Sequence, residues 1–185
     1  MATITRAFEF DAAHRVMNEK VKCFNLHGHR FKVEMTFEYN SKSLLGYAID
    51  FKEIKRIACG YIDEHLDHAC LLNPEDTELI ELCRKQNWRL WVMGMGVYGD
   101  INPSAENIAS ELFYIIRQLF INEPCGLRLT NLRLYETPNC WVDCSRIDYV
   151  ATNMFLENLG TWREQKGSMK YDIREDHEYK EKNNA

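Results

Sequence analysis

The sequence predicts a single α+β domain with the element order strand, strand, helix, helix, strand, strand. Three patterns predict it: two N-terminal segments alternate apolar and polar residues, two middle segments repeat apolar residues at helical spacing, and two C-terminal segments again have strand-like apolar patterns. No Pro/Gly/Ser-rich stretch divides the 185 residues. We therefore expect one domain over residues 1–160, followed by a charged arm or tail over residues 161–185.

Two strands are predicted at the N-terminus. Apolar residues fall mostly on even positions from Thr3 to Asp11 and on odd positions from His29 to Tyr39. Each pattern predicts a half-buried strand. The connection over residues 15–26 is too short and too polar for a crossover helix, so the two strands are expected to pair antiparallel.

Two helices are predicted to cover one face of the sheet. Asp50 and Glu53 form a capping-box pattern, and Ser104 follows Pro103 as a second N-cap candidate. Apolar residues at helical spacing follow each cap: Phe51, Ile54, Ile57, Ala58, Tyr61 and Ile62 after the first, and Ile108, Leu112, Ile115, Ile116 and Leu119 after the second.

The segment 75–100 between these helices predicts a short helix and a brief extended stretch. It contains a G-x-G-x-x-G pattern from Gly94 to Gly99, which raises the possibility of a dinucleotide site. We reject that interpretation because Asp100 to Pro103 separate the last glycine from the next helix, and no parallel strand–helix–strand unit surrounds the pattern.

Two C-terminal strands are predicted after Gly126, joined by a turn around Pro138 and Asn139. The apolar residues that indicate them are Leu127, Leu129, Leu132 and Leu134, then Trp141, Val142 and Ile147.

Composition excludes several classes of partner. The net charge of −5 and the pI near 5.7 argue against nucleic acid and against anionic lipid, and no apolar run is long enough to span a membrane. The seven cysteines are odd in number and include no Cys-x-x-Cys, which indicates a reducing compartment. We expect a cytoplasmic protein.

A zinc site is predicted from three histidines. His27 and His29 lie two apart on a strand, so their side chains share one face. His14, at the end of the neighbouring strand, is the natural third ligand, and three imidazoles leave one zinc position open for water or substrate. An isolated His-x-His pair is more often ordinary polar surface, and His65 and His68 are rival ligands, one helical turn apart.

These residues resemble the family of 6-pyruvoyltetrahydropterin and 6-carboxytetrahydropterin synthases. The matching pieces occur in the family's order over roughly residues 3–148, namely Phe10 to Arg15, Cys23 to His29, Gly46 to Lys55, Leu66 to His68, Asn102 to Asn107 and Tyr135 to Thr137. The spacing of three residues between Cys23 and His27 is similar to that of the carboxy-tetrahydropterin branch of queuosine biosynthesis. The longer segment 75–100, Ala105 and the C-terminal arm depart from the family pattern.

The resemblance implies a T-fold, an antiparallel four-stranded sheet with two helices between strands 2 and 3. It also implies a ring-like homo-oligomer whose active sites lie between subunits. The substrate would be a small-molecule pterin, 7,8-dihydroneopterin triphosphate, and the cofactor Zn²⁺ acting as a Lewis acid.

Roles for further residues follow from the same resemblance. Cys23 is the candidate base, since a thiol beside a dication loses its proton more readily, although a buried structural thiol is the ordinary alternative. Asp67 and His68 resemble a relay pair, which requires a turn because adjacent residues on a regular helix diverge; the alternative is a plain helix C-terminus.

Glu136 matches the pterin anchor, because one carboxylate accepts two parallel hydrogen bonds; a solvated glutamate at a strand end is the alternative. Ser104 either helps to hold the pterin or caps its helix, and we favour the cap.

Three functions remain open at this stage. The first is a zinc-dependent carbon–carbon lyase that makes 6-carboxytetrahydropterin, acetaldehyde and triphosphate. The second is a 6-pyruvoyltetrahydropterin synthase that uses the same metal and base, and the third is a non-catalytic zinc- or pterin-binding domain.

Overall fold

The chain forms one six-stranded mixed sheet that is covered by helices. A computed structural model describes residues 2–94, 102–121 and 126–145. Across the sheet the strand order is β4-β3-β1-β2-β5-β6. The strands are β1 (Ala2–His14), β2 (His27–Tyr39), β3 (Ala69–Leu72), β4 (Leu90–Val92), β5 (Arg128–Thr137) and β6 (Cys140–Cys144).

The predicted four-stranded antiparallel sheet is wrong as a description of the whole sheet. The four predicted strands are present as β1, β2, β5 and β6, and neighbours among them pair antiparallel. However, β3 pairs parallel to β1, and β4 pairs parallel to β3. These two strands have four and three residues, which is too short for a period-two pattern to appear in the sequence.

The predicted pair of helices also needs correction, since three helical segments lie between β2 and β5 in the described part of the chain. The first joins α1 (Phe51–Ile54), a π-helical turn (Lys55–Cys59) and α2 (Gly60–His65). The second, α3 (Thr77–Gln86), is the short helix expected within 75–100, and β4 is its brief extended stretch. The third is α4 (Ala105–Phe120).

The core lies between the helices and one face of the sheet. Its side chains come from alternate residues of β2 and from the apolar stripe of α4, which is buried as predicted: Phe31, Val33, Met35 and Phe37 on β2, and Ile108, Leu112, Ile115, Ile116 and Leu119 on α4. A register shift between Thr36 and Phe37 lets β5 bury Leu129, an odd position, together with Leu132 and Leu134, which are even. This bulge explains why the apolar pattern of β5 changes parity.

Both predicted N-caps are present. The Asp50 carboxylate accepts a hydrogen bond of 2.9 Å from the Lys52 N–H at the start of α1. The Ser104 hydroxyl oxygen accepts one of 3.4 Å from the Asn107 N–H at the start of α4. The carboxylate of Glu53, the second residue of the capping-box pattern, pairs with Arg56 at 2.9 Å.

Replacing Asp50 with alanine is expected to lower the free energy of unfolding by about 1 kcal/mol, because the Lys52 N–H loses its acceptor. Urea unfolding followed by circular dichroism measures the change. Asp50→Ser is the matched control, because a serine hydroxyl also caps, and it should stay close to the unmodified chain. Equal stability of the alanine and serine variants would contradict the cap.

The predicted arm over 161–185 and most of the Gly94 to Gly99 loop lie outside the described residues. No helix in the described part of the chain is long and apolar enough to cross a membrane.

Candidate metal centre

Strand register brings the three predicted histidines together. In the antiparallel pair β1–β2, His14 lies directly opposite His27, and Ala12 lies opposite His29. Because opposed residues share a face and the pattern repeats every two residues, all three imidazoles project to the helix-covered side. Gly28 allows the two strands to approach closely here, since a Cβ on it would lie 3.2 Å from the Ala12 carbonyl oxygen.

The three imidazoles form a compact cluster. The ring centroid of His14 lies 4.5 Å from that of His27 and 5.2 Å from that of His29. The ring centroids of His27 and His29 are 5.0 Å apart. One ring nitrogen of each residue lies within 4.8 Å of the others. The cluster therefore offers three nitrogen donors within the reach of one cation.

Backbone carbonyls orient two of the rings. The Nδ1 of His14 lies 2.7 Å from the Pro103 carbonyl oxygen, and the Nδ1 of His27 lies 2.7 Å from that of Asn25. A carbonyl only accepts, so each Nδ1 carries the hydrogen and each Nε2 is left with a free lone pair. Metal-ligating histidines are held in this way by their second nitrogen.

His14 is the most buried member of the cluster, with 1% of its surface exposed. Its Nε2 is buried and has no hydrogen-bond partner among the described residues. Burial lowers the pKa of His14 from its ordinary value, although the hydrogen bond to Pro103 acts in the opposite direction. The ring is thereby kept neutral, which is the form that binds a metal.

The donor set fits a metal ion of zinc type. Three imidazoles, each offering one ring nitrogen, match the ligands of catalytic zinc sites, and the orphaned Nε2 of His14 is a buried polar atom that a cation would satisfy. The nearest carboxylate, Glu136, lies 3.6 Å from that Nε2. Three nitrogen donors leave a coordination position open.

The stability of the metal-free protein should fall as the pH falls below about 6.5. Above this pH His14 is neutral in both states. Below it the unfolded chain takes up a proton that the folded chain, with its lowered pKa, does not, so acid favours unfolding. This one group contributes at most about 1.4 kcal/mol per pH unit between the two pKa values.

Urea unfolding of the metal-free protein between pH 7.5 and 5 tests this prediction. His14→Asn is the matched variant, because its side-chain amide can still donate to the Pro103 carbonyl but does not titrate. The difference in unfolding free energy between the two proteins should shrink as the pH falls. A constant difference would show that His14 does not titrate abnormally.

The rival ligand His65 lies elsewhere. Its ring stacks on Tyr61 with centroids 4.3 Å apart and meets the edge of Trp91 at 6.0 Å. Its Nδ1 lies 3.0 Å from the Tyr61 carbonyl oxygen. His65 is thus packed beside the helix and is not a member of the histidine cluster.

Asp67 and His68 form a pair, and a turn makes this possible. The helix ends at His65, and His68 has a φ of +59°, in the left-handed region. The Nδ1 of His68 lies 2.6 Å from one carboxylate oxygen of Asp67, and the other accepts from the Asp11 N–H at 2.9 Å. A carboxylate therefore orients an exposed imidazole, the geometry that the sequence interpretation required.

Within one chain this pair does not join the histidine cluster. His68 borders an open cleft of about 460 Å³ with Asp11 and Arg30, whose side chains alternate to the sheet face opposite His14. His29 also borders this cleft, but His14 and His27 do not. No hydrogen bond or ion pair joins Asp67 or His68 to the cluster in the part of the chain that the structure describes.

Cys23 lies in a 3₁₀ turn (Lys22–Phe24) of the loop that connects the two ligand strands. Its thiol is exposed rather than buried, so the alternative of a buried structural cysteine does not apply to it. Its carbonyl oxygen accepts a hydrogen bond of 2.8 Å from the Val16 N–H. No disulfide bond joins any of the six cysteines in the described ranges.

Glu136 and His29 border a second cleft, of about 530 Å³, on which Lys32 and Tyr135 also lie. This volume suits a small organic ligand. The Lys32 ammonium lies 4.9 Å from the centre of the Tyr135 ring. Ser104 caps α4 directly after Pro103, the residue whose carbonyl holds His14.

Sequence reasoning missed the groups that hold the site in place. The Pro103 and Asn25 carbonyls leave no signal in the sequence, because every residue has a carbonyl. Asp76 forms an ion pair with Arg15, the residue after the candidate ligand His14, and lies 61 positions from its partner. Only the fold reveals such a pair.

Comparisons with known proteins identify the family. The family model for 6-pyruvoyl tetrahydropterin synthase matches residues 3–146. A protein of Rickettsia felis named 6-carboxy-5,6,7,8-tetrahydropterin synthase is 41% identical to this chain, over 77% of this chain and 99% of that protein. A protein of the same name from Haemophilus influenzae is 30% identical, over 77% of this chain and 98% of that protein.

Solved structures share the fold at lower identity. An uncharacterized protein from Wolinella succinogenes matches with a TM-score of 0.63 at 22% identity, over 78% of this chain and 98% of that one. The 6-pyruvoyl tetrahydropterin synthase of Caenorhabditis elegans matches with a TM-score of 0.54 at 20% identity, over 78% and 95%. These structures support an α+β fold of the T-fold type. The family model and the sequence relatives show that the chain belongs to the 6-pyruvoyl tetrahydropterin synthase family.

Proposed function

We propose that this protein is a cytoplasmic, zinc-dependent 6-carboxy-5,6,7,8-tetrahydropterin synthase of queuosine biosynthesis. It would convert 7,8-dihydroneopterin triphosphate and one water molecule to 6-carboxytetrahydropterin, acetaldehyde and triphosphate. The observation that carries the proposal is the cluster of His14, His27 and His29 beside Glu136, in a chain whose relatives of that name reach 41% identity.

The three histidines would hold the zinc ion through one ring nitrogen each, and the bound ion would supply Lewis acidity toward the side-chain oxygens of the substrate. The protein's part is to keep these imidazoles neutral and fixed. Burial does the first for His14, and the Pro103 and Asn25 carbonyls do the second for His14 and His27.

Glu136 would anchor the pterin ring. Its carboxylate can accept two parallel hydrogen bonds from the ring N–H and the exocyclic amine. It lies 3.6 Å from His14 and borders the 530 Å³ cleft together with His29. A ring anchored there would lie close to the histidine cluster, and Ser104 would lie near it at the start of α4.

Cys23 would act as the base that removes a carbon-bound proton from the substrate side chain, and His68 as the group that exchanges protons with solvent or with the thiol. The exposed position of Cys23 on the loop between the ligand strands supports the first role. The short contact of 2.6 Å between His68 and Asp67 supports the second, because the carboxylate fixes the orientation of the exposed imidazole.

Two subunits would complete each active site. In one chain the Asp67–His68 pair borders the cleft with Asp11 and Arg30, whereas His14 faces the helices. A second copy that brings its own His68 to the histidine cluster would join the two halves. We therefore propose a homo-oligomer with active sites between subunits.

Product analysis tests the function. Purified, zinc-loaded protein is incubated with 7,8-dihydroneopterin triphosphate, and acetaldehyde, triphosphate and the pterin products are separated and identified. Acetaldehyde and 6-carboxytetrahydropterin in equal amounts are the expected result. If 6-pyruvoyltetrahydropterin is the main product, the chain belongs to the other branch of the family, and if no product forms, a non-catalytic binding domain is the better assignment.

A further inference from the structure

Asp76 and Arg15 form a bidentate ion pair next to the histidine cluster. The Arg15 Nε donates to one carboxylate oxygen of Asp76 at 2.5 Å, and Nη2 donates to the other at 2.6 Å. The carboxylate is 1% exposed and the guanidinium side chain 20%. Two parallel hydrogen bonds fix the plane of the guanidinium as well as its position. Asp76 lies at the start of α3, while Arg15 directly follows the ligand His14.

The fixed guanidinium supports the loop that carries Cys23. The Arg15 Cζ lies 5.3 Å from the centre of the Phe24 ring, and Phe24 is the next residue after Cys23. The residue after Arg15, Val16, donates its N–H to the Cys23 carbonyl at 2.8 Å. Arg15 and its neighbour Val16 therefore contact the loop at two consecutive residues, Phe24 and Cys23.

The buried side-chain amides of Asn102 and Asn73 hold the same loop through hydrogen bonds. Asn102 accepts from the Met17 N–H at 2.9 Å and donates to the Met17 carbonyl at 3.0 Å. Asn73 donates to the side-chain oxygen of Asn102 at 3.0 Å, and both amides are buried. Asn73 and Asp76 belong to the same short connection between β3 and α3, so this connection holds the loop at two points.

We infer that Asp76, acting through Arg15, is a positioning residue for Cys23. The inference rests on the proposed function, since a fixed thiol matters only if that thiol moves a proton. Between β1 and β2 the chain has one 3₁₀ turn and no other regular structure, so its shape depends on side-chain contacts. The buried Asp76 carboxylate fixes the Arg15 guanidinium, and the guanidinium contacts the ring of Phe24, the residue after Cys23.

Hydrogen exchange tests the placement without any need for activity. In Asp76→Asn the neutral side-chain amide cannot hold the Arg15 guanidinium as a carboxylate does. The backbone N–H hydrogens of Val16 and Met17 should therefore exchange with solvent about tenfold faster or more. Exchange in β2 should stay unchanged, which separates release of the loop from loss of global stability. Glu75→Gln makes the same chemical change one residue away, on an exposed side chain, and should leave the loop protected.

Steady-state kinetics tests the consequence. Misplacing the thiol should lower kcat about tenfold to a hundredfold in Asp76→Asn while KM changes little, and Asp76→Glu should restore part of kcat. Arg15→Lys keeps the charge but loses the two parallel hydrogen bonds to Asp76, so it should show the same faster loop exchange and lower kcat. It serves as the test variant if Asp76→Asn does not fold.

Unchanged loop exchange in both variants would overturn the inference, as would a released loop with an undiminished kcat. Failure of the proposed function is a separate result. It would appear as absence of turnover in the unmodified chain, whereas the exchange experiment would still report whether Asp76 holds the loop.

Discussion

Zinc is expected to be lost from the His27→Ala variant, and turnover with it. The change removes one of three nitrogen donors and leaves two imidazoles, fewer than the three protein ligands of catalytic zinc sites. Loss of an outer partner of a ligand already weakens metal binding by about 10–100-fold, so loss of the ligand itself should exceed that range. Zinc content after gel filtration, measured by plasma mass spectrometry, and affinity measured by competition with a chelator report the effect.

His27 is a better test position than His14, because His14 is 1% exposed and its removal would also leave a cavity in the core. His65→Ala is the matched control, since it removes a helix-end imidazole that stacks on Tyr61 and lies outside the cluster. We expect this control to retain about one zinc ion per chain. Full zinc content in His27→Ala would exclude the histidine cluster as the metal site.

The clustering of the three histidines could be predicted from the sequence because strand geometry is regular. Period-two alternation places His27 and His29 on one face without any knowledge of tertiary structure. The antiparallel pairing of β1 and β2 then fixes His14 opposite His27. Both steps use local patterns that extend over many residues, and such patterns are the most reliable part of a sequence interpretation.

The remaining strands and contacts depend on tertiary structure. β3 and β4 are too short to show periodicity, and β3 becomes a strand because it can pair parallel with Ala12–His14 of β1. The Asp67–His68 contact depends on a left-handed residue at His68, which the sequence does not reveal because histidine seldom adopts that conformation. Residue identity showed which groups could react, but the backbone decides which face they occupy.

Activity is expected to return when two inactive variants are mixed. Cys23→Ala and His68→Ala should each lower kcat by about a hundredfold or more, because each loses a side chain that we propose transfers a proton. In this chain Cys23 belongs to the loop between the ligand strands, while His68 borders the cleft with Asp11 and Arg30. If one active site takes Cys23 from one subunit and His68 from another, some sites of a mixed oligomer contain both natural residues.

Co-expression of the two variants with different affinity tags, followed by sequential purification, gives the mixed oligomer. Random assembly with equal amounts of each variant should restore about one quarter of the sites, since each of the two contributing subunits has an even chance of being the intact one. Activity no higher than that of the separate variants would contradict a shared site and would place His68 and Cys23 of one chain in one pocket.

A second mixture distinguishes activity that returns because one site takes residues from two subunits from activity that returns because mixed oligomers fold better. Cys23→Ala combined with His27→Ala should show no recovery, because Cys23 and His27 lie on one continuous loop and strand, and every site would lack one or the other. Both mixtures contain the same proportion of variant chains. Recovery in the first mixture alone would therefore assign the zinc ligands and the thiol to one subunit and the imidazole relay to its neighbour.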